Sequence, residues 1–335
     1  MRNETRKLFN DYQNRLATLN GVDSVGTTFT VEPSIQQTLE TRMQESSEFL
    51  NSINVIGVNE QQGEKLGLGI SGTIAGRTDT NQNDRQPTDP TDMEGSSYFC
   101  KQTNFDTALR YSKLDAWAKF KDFQTRIRDA ILKRQALDRI MVGFNGTSAA
   151  TQSDRVTNPL LQDVNIGWMQ KMRDHAAERV MTEVEEGTGK IIVSQSGDYK
   201  NLDALVYDMV NNLIDPWYQD DTELVVLTGR KLLSDKYFPL VNSDLVPTEK
   251  TAADMMISQK RIGGLQAVRV PYFPANSIMV TRLDNLSLYF QEGSRRRSII
   301  DNPKRDQIEN YESSNDSYVV EDYGCAAVAE NIELD

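Results

Sequence analysis

Histidine is almost missing from this chain, which has one, His175, in 335 residues. Imidazole is the commonest general base and a leading metal ligand, so Ser-His-Asp and Cys-His sites, zinc clusters and haem ligation have a single residue to draw on. Most enzyme classes are thereby disfavoured. Cysteine is nearly as scarce: Cys100 and Cys325 stand far apart outside any paired motif, so no disulfide framework is expected and both are read as reduced thiols. Long apolar runs are missing too. No stretch reaches the ~18 residues that a membrane span requires, and the opening MRNETRKLFNDYQNRL holds no apolar export signal. Basic charge is in deficit, with 37 Lys+Arg against 49 Asp+Glu and a formal net charge of -12. Such a field repels nucleic acid at long range, so any contact with DNA is expected to be weak or local.

What is present is a series of extended pieces. Leu8 or Phe9, Tyr12, Leu16 and Leu19 fall at helical spacing, which predicts an amphipathic helix over residues 2–19. Residues 21–30 are small and polar and Pro33 blocks a continuous helix, so this first helix is expected to be tethered to the body, not built into it. A second helix is predicted over residues 33–51, with Pro33 in its first turn and Ile35, Leu39, Met43 and Phe49 as its apolar positions. Five glycines then fall between residues 63 and 76, followed by TDTNQNDRQPTDPTDMEG, which is almost free of apolar side chains. Between residues 59 and 99 seven acids face three bases, a net of -4. The physical reading is a two-stranded excursion with no core of its own, a kind of loop that has a function or a partner to lie on.

The strongest helical pattern comes next. Leu114, Trp117, Phe120, Phe123, Ile127, Ile131, Leu137 and Ile140 recur three or four apart but for the step of six from Ile131 to Leu137, and neither Gly nor Pro intervenes before Gly143. Some thirty residues in this pattern predict a rod of about 45 Å. Eight bases on it, Arg139 among them, are assigned to a solvated face with Asp partners at helical spacing; the sharper alternative is a weak DNA-facing stripe. Helices are expected over residues 164–179, in LDALVYDMVNNLI and in GRKLLSDKYFPLV, with a buried strand in LVVLTG. After Gly263 and Gly264, LQAVRV, SIMVT, LSLYF, SYVVED and CAAVAENI read as strands. The fold class is α+β, with at least one domain assembled from non-contiguous segments.

Motifs that suggest chemistry fail on context. Gly67, Gly69 and Gly72 match a GxGxxG dinucleotide fingerprint, but that chemistry needs a helix whose N-terminus holds the pyrophosphate, and TIAGRTDTNQNDRQPTDP cannot supply one. Residues 79–84 open like a calcium loop, yet Asp84 stands where the sharp turn wants Gly and Pro90 where the bidentate Glu belongs. Acids at Asp220, Asp221, Glu183, Glu185 and Glu186 form no readable carboxylate pair and are assigned to the surface. No catalytic residue, cofactor or metal site is expected, and the chain is read as a non-enzyme. The extended pieces point to an assembly subunit whose arms pack on neighbours.

Across almost its whole length the sequence resembles the major capsid proteins of P2-like tailed phages, in RMQESSEFLNSINV, GEKLGLG, FQTRIRDAILKRQALDRIM, NPLLQDVNIGWMQK, NNLIDPWYQDD, SDKYFPLVN, ISQKRIGGLQAVRVPYFP and YVVEDYG. The resemblance implies the HK97-like capsid fold. Residues 1–29 would be an N-terminal helix and linker removed on maturation, 30–58 the N-arm and 59–105 the extended β-hairpin loop. Residues 106–199 and 286–335 would form the peripheral domain, with a long spine helix from 106 to 143, and 200–285 the axial domain. The resemblance further implies self-assembly into pentamers and hexamers, a scaffolding protein with a maturation protease, a portal, and enclosed double-stranded DNA bound without sequence specificity. No membrane is involved: the expected location is the virion capsid, after synthesis and assembly in the host bacterial cytoplasm. The resemblance places processing at Thr28 and Phe29, and the sequence agrees, since a Gly-bearing exposed linker is where proteolysis is easiest. Glu64, Arg77, Asp84 and Arg85 of the extended loop are candidate contacts with an adjacent subunit. The alternative is a cytoplasmic oligomeric α+β protein, either an encapsulin-like shell or a nucleotide-binding enzyme using the GxGxxG.

Overall fold

A computed structural model of the chain describes residues 1–65, 69–70, 77–79, 85, 91–92, 97–120, 122–241 and 260–334. The first elements are α1 (Asn3–Leu19), β1 (Phe29–Thr30), α2 (Pro33–Glu45), α3 (Glu48–Ser52) and β2 (Asn54–Val58). Pro33 occupies the first turn of α2, where its missing N–H is not needed. The single helix expected over 33–51 is two helices. The Ser46 hydroxyl bonds back to the Met43 carbonyl at 2.7 Å, Ser47 is extended, and the break lets Phe49 and Leu50 turn into the core.

A ribbon follows, in which β3 (Gln62–Glu64) pairs antiparallel with β6 (Ser97–Phe99) and β4 (Gly69–Ile70) with β5 (Thr91–Asp92). Partner residue numbers add to the same total in both patches, so one register serves both. The root of the ribbon is anchored. Tyr98 packs edge-on against Tyr289 with ring centres 5.1 Å apart, and Lys65 donates to the Val320 carbonyl at 2.5 Å.

Next come β7 (Lys101–Asn104), β8 (Thr107–Arg110), α4 (Tyr111–Trp117) and α5 (Phe123–Asn145). They correct the rod expected from 106 to 143. Residues 107–110 are taken by backbone pairing to residues 307–310, a tertiary contact that overrides helical spacing, and a break after α4 leaves α5 as the long helix. Its 23 residues span about 35 Å.

The middle of the chain supplies α6 (Trp168–His175), β9 (Val180–Met181), β10 (Ile191–Val193), α7 (Leu202–Leu213), β11 (Val225–Thr228) and α8 (Arg230–Val241). The helix expected over 164–179 shortens to α6, entered through an extended Gly167. Trp168 explains a glycine in the last turn of α5. Its indole is fully buried, donates to the Ser287 carbonyl at 3.0 Å, and occupies the space where a Cβ on Gly143 of α5 would stand.

The closing strands are β12 (Arg261–Ile262), β13 (Leu265–Arg269), β14 (Ile278–Thr281), β15 (Leu286–Gln291), β16 (Arg296–Asn302), β17 (Gln307–Val320), β18 (Ala326–Ala329) and β19 (Ile332–Leu334). They divide between two main sheets. One has the order β1-β16-β17-β15-β2, with β7 and β8 also pairing along β17. The other runs β12-β13-β11-β14-β18-β9, and β10 pairs with β19 in parallel beside it. Within residues 286–335, β15, β16 and β17 join the first sheet, β18 joins the second and β19 pairs with β10. Residues 326–329 are buried throughout: β14 and β9 pair with their two edges, while Ala326 and Val328 face one core cluster and Ala327 and Ala329 the other. A shared core joins the sheets: Ala136 and Ile140 of α5 and Trp168 of α6 cluster with Leu286, Leu288 and Tyr318 of the first sheet and Leu227, Met279 and Val328 of the second.

Candidate assembly site at the arm and ribbon

The first helix is built into the body, which corrects the expectation of a tethered one. Phe9 and Tyr12 are buried in a cluster with Phe123 and Ile127 of α5 and Ile299 of β16. Polar contacts reinforce them. Arg6 pairs with Asp301, whose other oxygen accepts from the Tyr111 hydroxyl, and the Arg2 backbone N–H donates to Asp115 at 2.9 Å. Burial pushes the Asp301 carboxyl up, but the bonds from Tyr111 and Arg6 outweigh it and hold the group below the usual range.

The linker beyond α1 is pinned at both ends. Ile299 donates its N–H to the Val25 carbonyl at 2.8 Å, and Phe29 pairs with Arg297 as β1 joins β16. Val25 and Phe29 are buried, whereas residues 26–28 between them are exposed. Of the two predicted processing residues, Thr28 therefore faces solvent and Phe29 is an anchor.

Under the arm lies a cluster of charge that sequence reasoning assigned to the surface or missed. Arg139 of α5, Arg295 and Arg297 of the β16 edge, Glu40 of α2, and Glu312 and Asp316 of β17 are all buried. Three guanidiniums thus meet three carboxylates. Arg139 holds Glu40 through two nitrogens and Asp316 at 3.0 and 3.1 Å. Arg295 reaches Glu40 at 2.7 Å and Glu312 at 2.6 Å, and Gln135 of α5 bridges Arg295 and Glu312 at 2.8 and 3.0 Å. Arg297 donates to Asn310 at 2.7 Å and to the Tyr12 hydroxyl at 3.2 Å, so the cluster extends to α1. Among the described residues no buried side-chain nitrogen or oxygen lacks a partner. Burial raises the Glu312 carboxyl, but Arg295 and Arg297 outweigh it and bring it down to about 2. Glu40 is likewise held low against its burial by Arg139 and Arg295. Chemically the cluster is a lock. Gln36 of α2 adds a clamp on the turn after β15, donating to the Gln291 carbonyl at 3.1 Å and accepting from the Gly293 N–H at 2.9 Å.

The predicted ribbon residues are placed as follows. Glu64 is exposed and opposite Ser97 at the end of β3, and Arg77 and Arg85 are exposed. Asp84 lies outside the described residues, as do Gly67 and Gly72 of the fingerprint and residues 80–84 of the calcium-like loop. Of the eight bases on the predicted rod, Arg126 and Arg134 pair at the surface with Asp122 and Asp138 four residues away, while Arg139 points into the core. Both cysteines are free and buried, and burial pushes each thiol up to about 12. Among the described residues no helix is long and apolar enough to cross a membrane.

Comparison with known proteins adds the identity. Residues 8–332 match the family described as phage major capsid protein, P2 family. Capsid protein of Escherichia phage P2 is 55% identical over 342 residues, covering 100% of this chain and 96% of that protein. The major capsid protein of Serratia phage KSP20 is 41% identical over 341 residues, covering 99% and 97%. A chain of the satellite phage P4 procapsid, solved with its size determination (Sid) protein, superposes with a TM-score of 0.84 at 52% identity, covering 100% of this chain and 99% of that one. The nucleotide-binding and encapsulin-like alternatives are not favoured by these matches. This chain belongs to the P2 family of phage major capsid proteins, with the HK97-like capsid fold, and is a self-assembling structural subunit of a tailed phage's virion shell.

Proposed function

We propose that the chain assembles with a scaffolding protein into an icosahedral procapsid of pentamers and hexamers, which matures into a head that meets a portal and encloses double-stranded DNA. The observation that carries this reading is the family match along residues 8–332. In this reading the chain performs no catalysis. The sheet containing β17, with α5, is the peripheral domain. The sheet containing β11, now including residues 326–334, is the axial one. An acidic subunit suits a wall that contains DNA without adsorbing it, and the formal charge of -12 supports that role.

The ribbon lies on an adjacent subunit, with Glu64, Arg77, Asp84 and Arg85 as contacts. Support comes from the pairing of its described strands with each other, β3 with β6 and β4 with β5. Maturation cuts the chain between Val25 and Thr30, near Thr28 and Phe29. The exposed run at 26–28 between two buried anchors supports that position. Intact-mass measurement on mature particles is expected to show a start in this window, and a chain still beginning at Met1 or Arg2 would refute it.

Co-expression with the scaffolding protein and negative-stain microscopy test the assembly reading. Closed shells are expected. Small discrete oligomers whose melting temperature responds to nucleotide would overturn it.

A further inference from the structure

Between α1, α2 and α5 runs a groove of about 460 Å³. Its walls are mainly apolar, with Leu16 and Leu19 from α1 and Val31, Ile35 and Leu39 from the arm. Leu19 is 50% exposed, while Phe9 and Tyr12 of the same helix are buried, so the end of the apolar stripe opens onto the groove. The charges that line it are of one sign. Arg15, Arg128 and Arg297 contribute, and no carboxylate among the described residues does. Arg128 shares its charge with the neighbouring Asp129 at 2.8 Å, whereas Arg15 is exposed on the rim.

An apolar trough edged by guanidiniums complements an amphipathic helix with apolar anchors at helical spacing and carboxylates along its flank. A second feature narrows the occupant. One whole wall is α1, so removing residues 1–28 takes away Arg15, Leu16 and Leu19 together and dismantles the groove. A partner seated here is held by the precursor and released by the cut. The geometry points to this groove as the dock for an acidic amphipathic helix of the scaffolding protein, an inference that rests on the assembly reading above. Processing of the arm then ends scaffold attachment by destroying its binding site.

The test uses the full chain and the scaffolding protein of the same phage, with affinity measured at low and high salt. Two variants alter the groove. Arg15→Glu combined with Leu19→Asp changes exposed positions of α1, and Thr38→Trp fills the groove from the exposed face of α2. Each is expected to weaken scaffold binding about tenfold or more while far-UV dichroism and melting temperature stay at parent values. A photo-crosslinker at position 19 should join a carboxylate-bearing helix of the scaffold. Parent-like affinity in the folded variants, or a crosslink from position 19 to a second copy of this chain, overturns the proposal. Should the α1 variant fail to fold, Thr38→Trp decides alone. Closed shells from parent and variants alike, with equal scaffold content, would defeat the groove and leave the assembly reading intact; a parent that makes neither shells nor scaffold complexes would defeat both.

Discussion

Arg139 of the spine helix and Glu40 of the arm helix, 99 positions apart, are both buried and joined through two guanidinium nitrogens. Neither charge could be left there alone. Removing one partner of a buried pair costs about 3–5 kcal/mol, because the other remains desolvated and unpaired. Arg139→Met leaves Asp316 without a guanidinium and Glu40 with Arg295 alone, so its urea midpoint should fall far more than that of Glu40→Gln, which keeps an acceptor for each arginine. Equal midpoints for the two variants would mean that the pairing does not hold the arm.

Acid should loosen the same contact. Glu312 sits at about 2 in the folded chain, against an ordinary value of 4.5. A depressed folded value means that the unfolded chain takes up the proton first. The stabilisation is therefore complete above about pH 4.5 and disappears as pH falls toward 2. Melting temperature should decline across that window, and less steeply in Glu312→Gln. Parallel profiles for the two proteins would remove Glu312 as the source.

The N-terminal helix offers a paired test. Tyr12→Phe takes one of the two side-chain acceptors from Arg297, a buried guanidinium, at a cost of about 1–3 kcal/mol. Asn310 remains as the other. Chemical denaturation should register that loss in the full chain relative to its parent. A full-length Tyr12→Phe protein as stable as the parent would show that α1 contributes nothing through this bond.

Much of the architecture was legible from periodicity. Helices α1, α7 and most of α5 follow their apolar spacing, and strands β11, β13, β14 and β15 follow theirs. Strand β17 was half missed for a physical reason. Its inward residues from 310 to 316 are Asn310, Glu312, Ser314 and Asp316, so the alternation that marks a strand is polar on the buried side and carries no hydrophobic signal. A similar cause hid the charge cluster, since Arg139 in a helix whose other bases pair with Asp residues at helical spacing reads as part of a solvated face until the sheet is placed under it. The rod was overlong because residues 107–110 are claimed by long-range pairing, which a local pattern cannot report.

Charge reversal on the ribbon should separate folding from assembly. Glu64→Lys, Arg77→Glu and Arg85→Glu change exposed side chains, so each should alter subunit stability by no more than about 0.5 kcal/mol. Combined, they should sharply reduce the yield of shells in co-expression, scored by sedimentation. Unimpaired yield would remove these residues from the subunit contacts.

The most direct measurement is a cryo-electron-microscopy reconstruction of the particles formed when the full chain and its scaffolding protein are made together. A closed icosahedral wall is expected, built from this chain at every five-fold and quasi-six-fold position, with the ribbon of β3 and β6 lying against a neighbouring copy. Open aggregates, or discrete oligomers in which the ribbon touches only its own subunit, would contradict it.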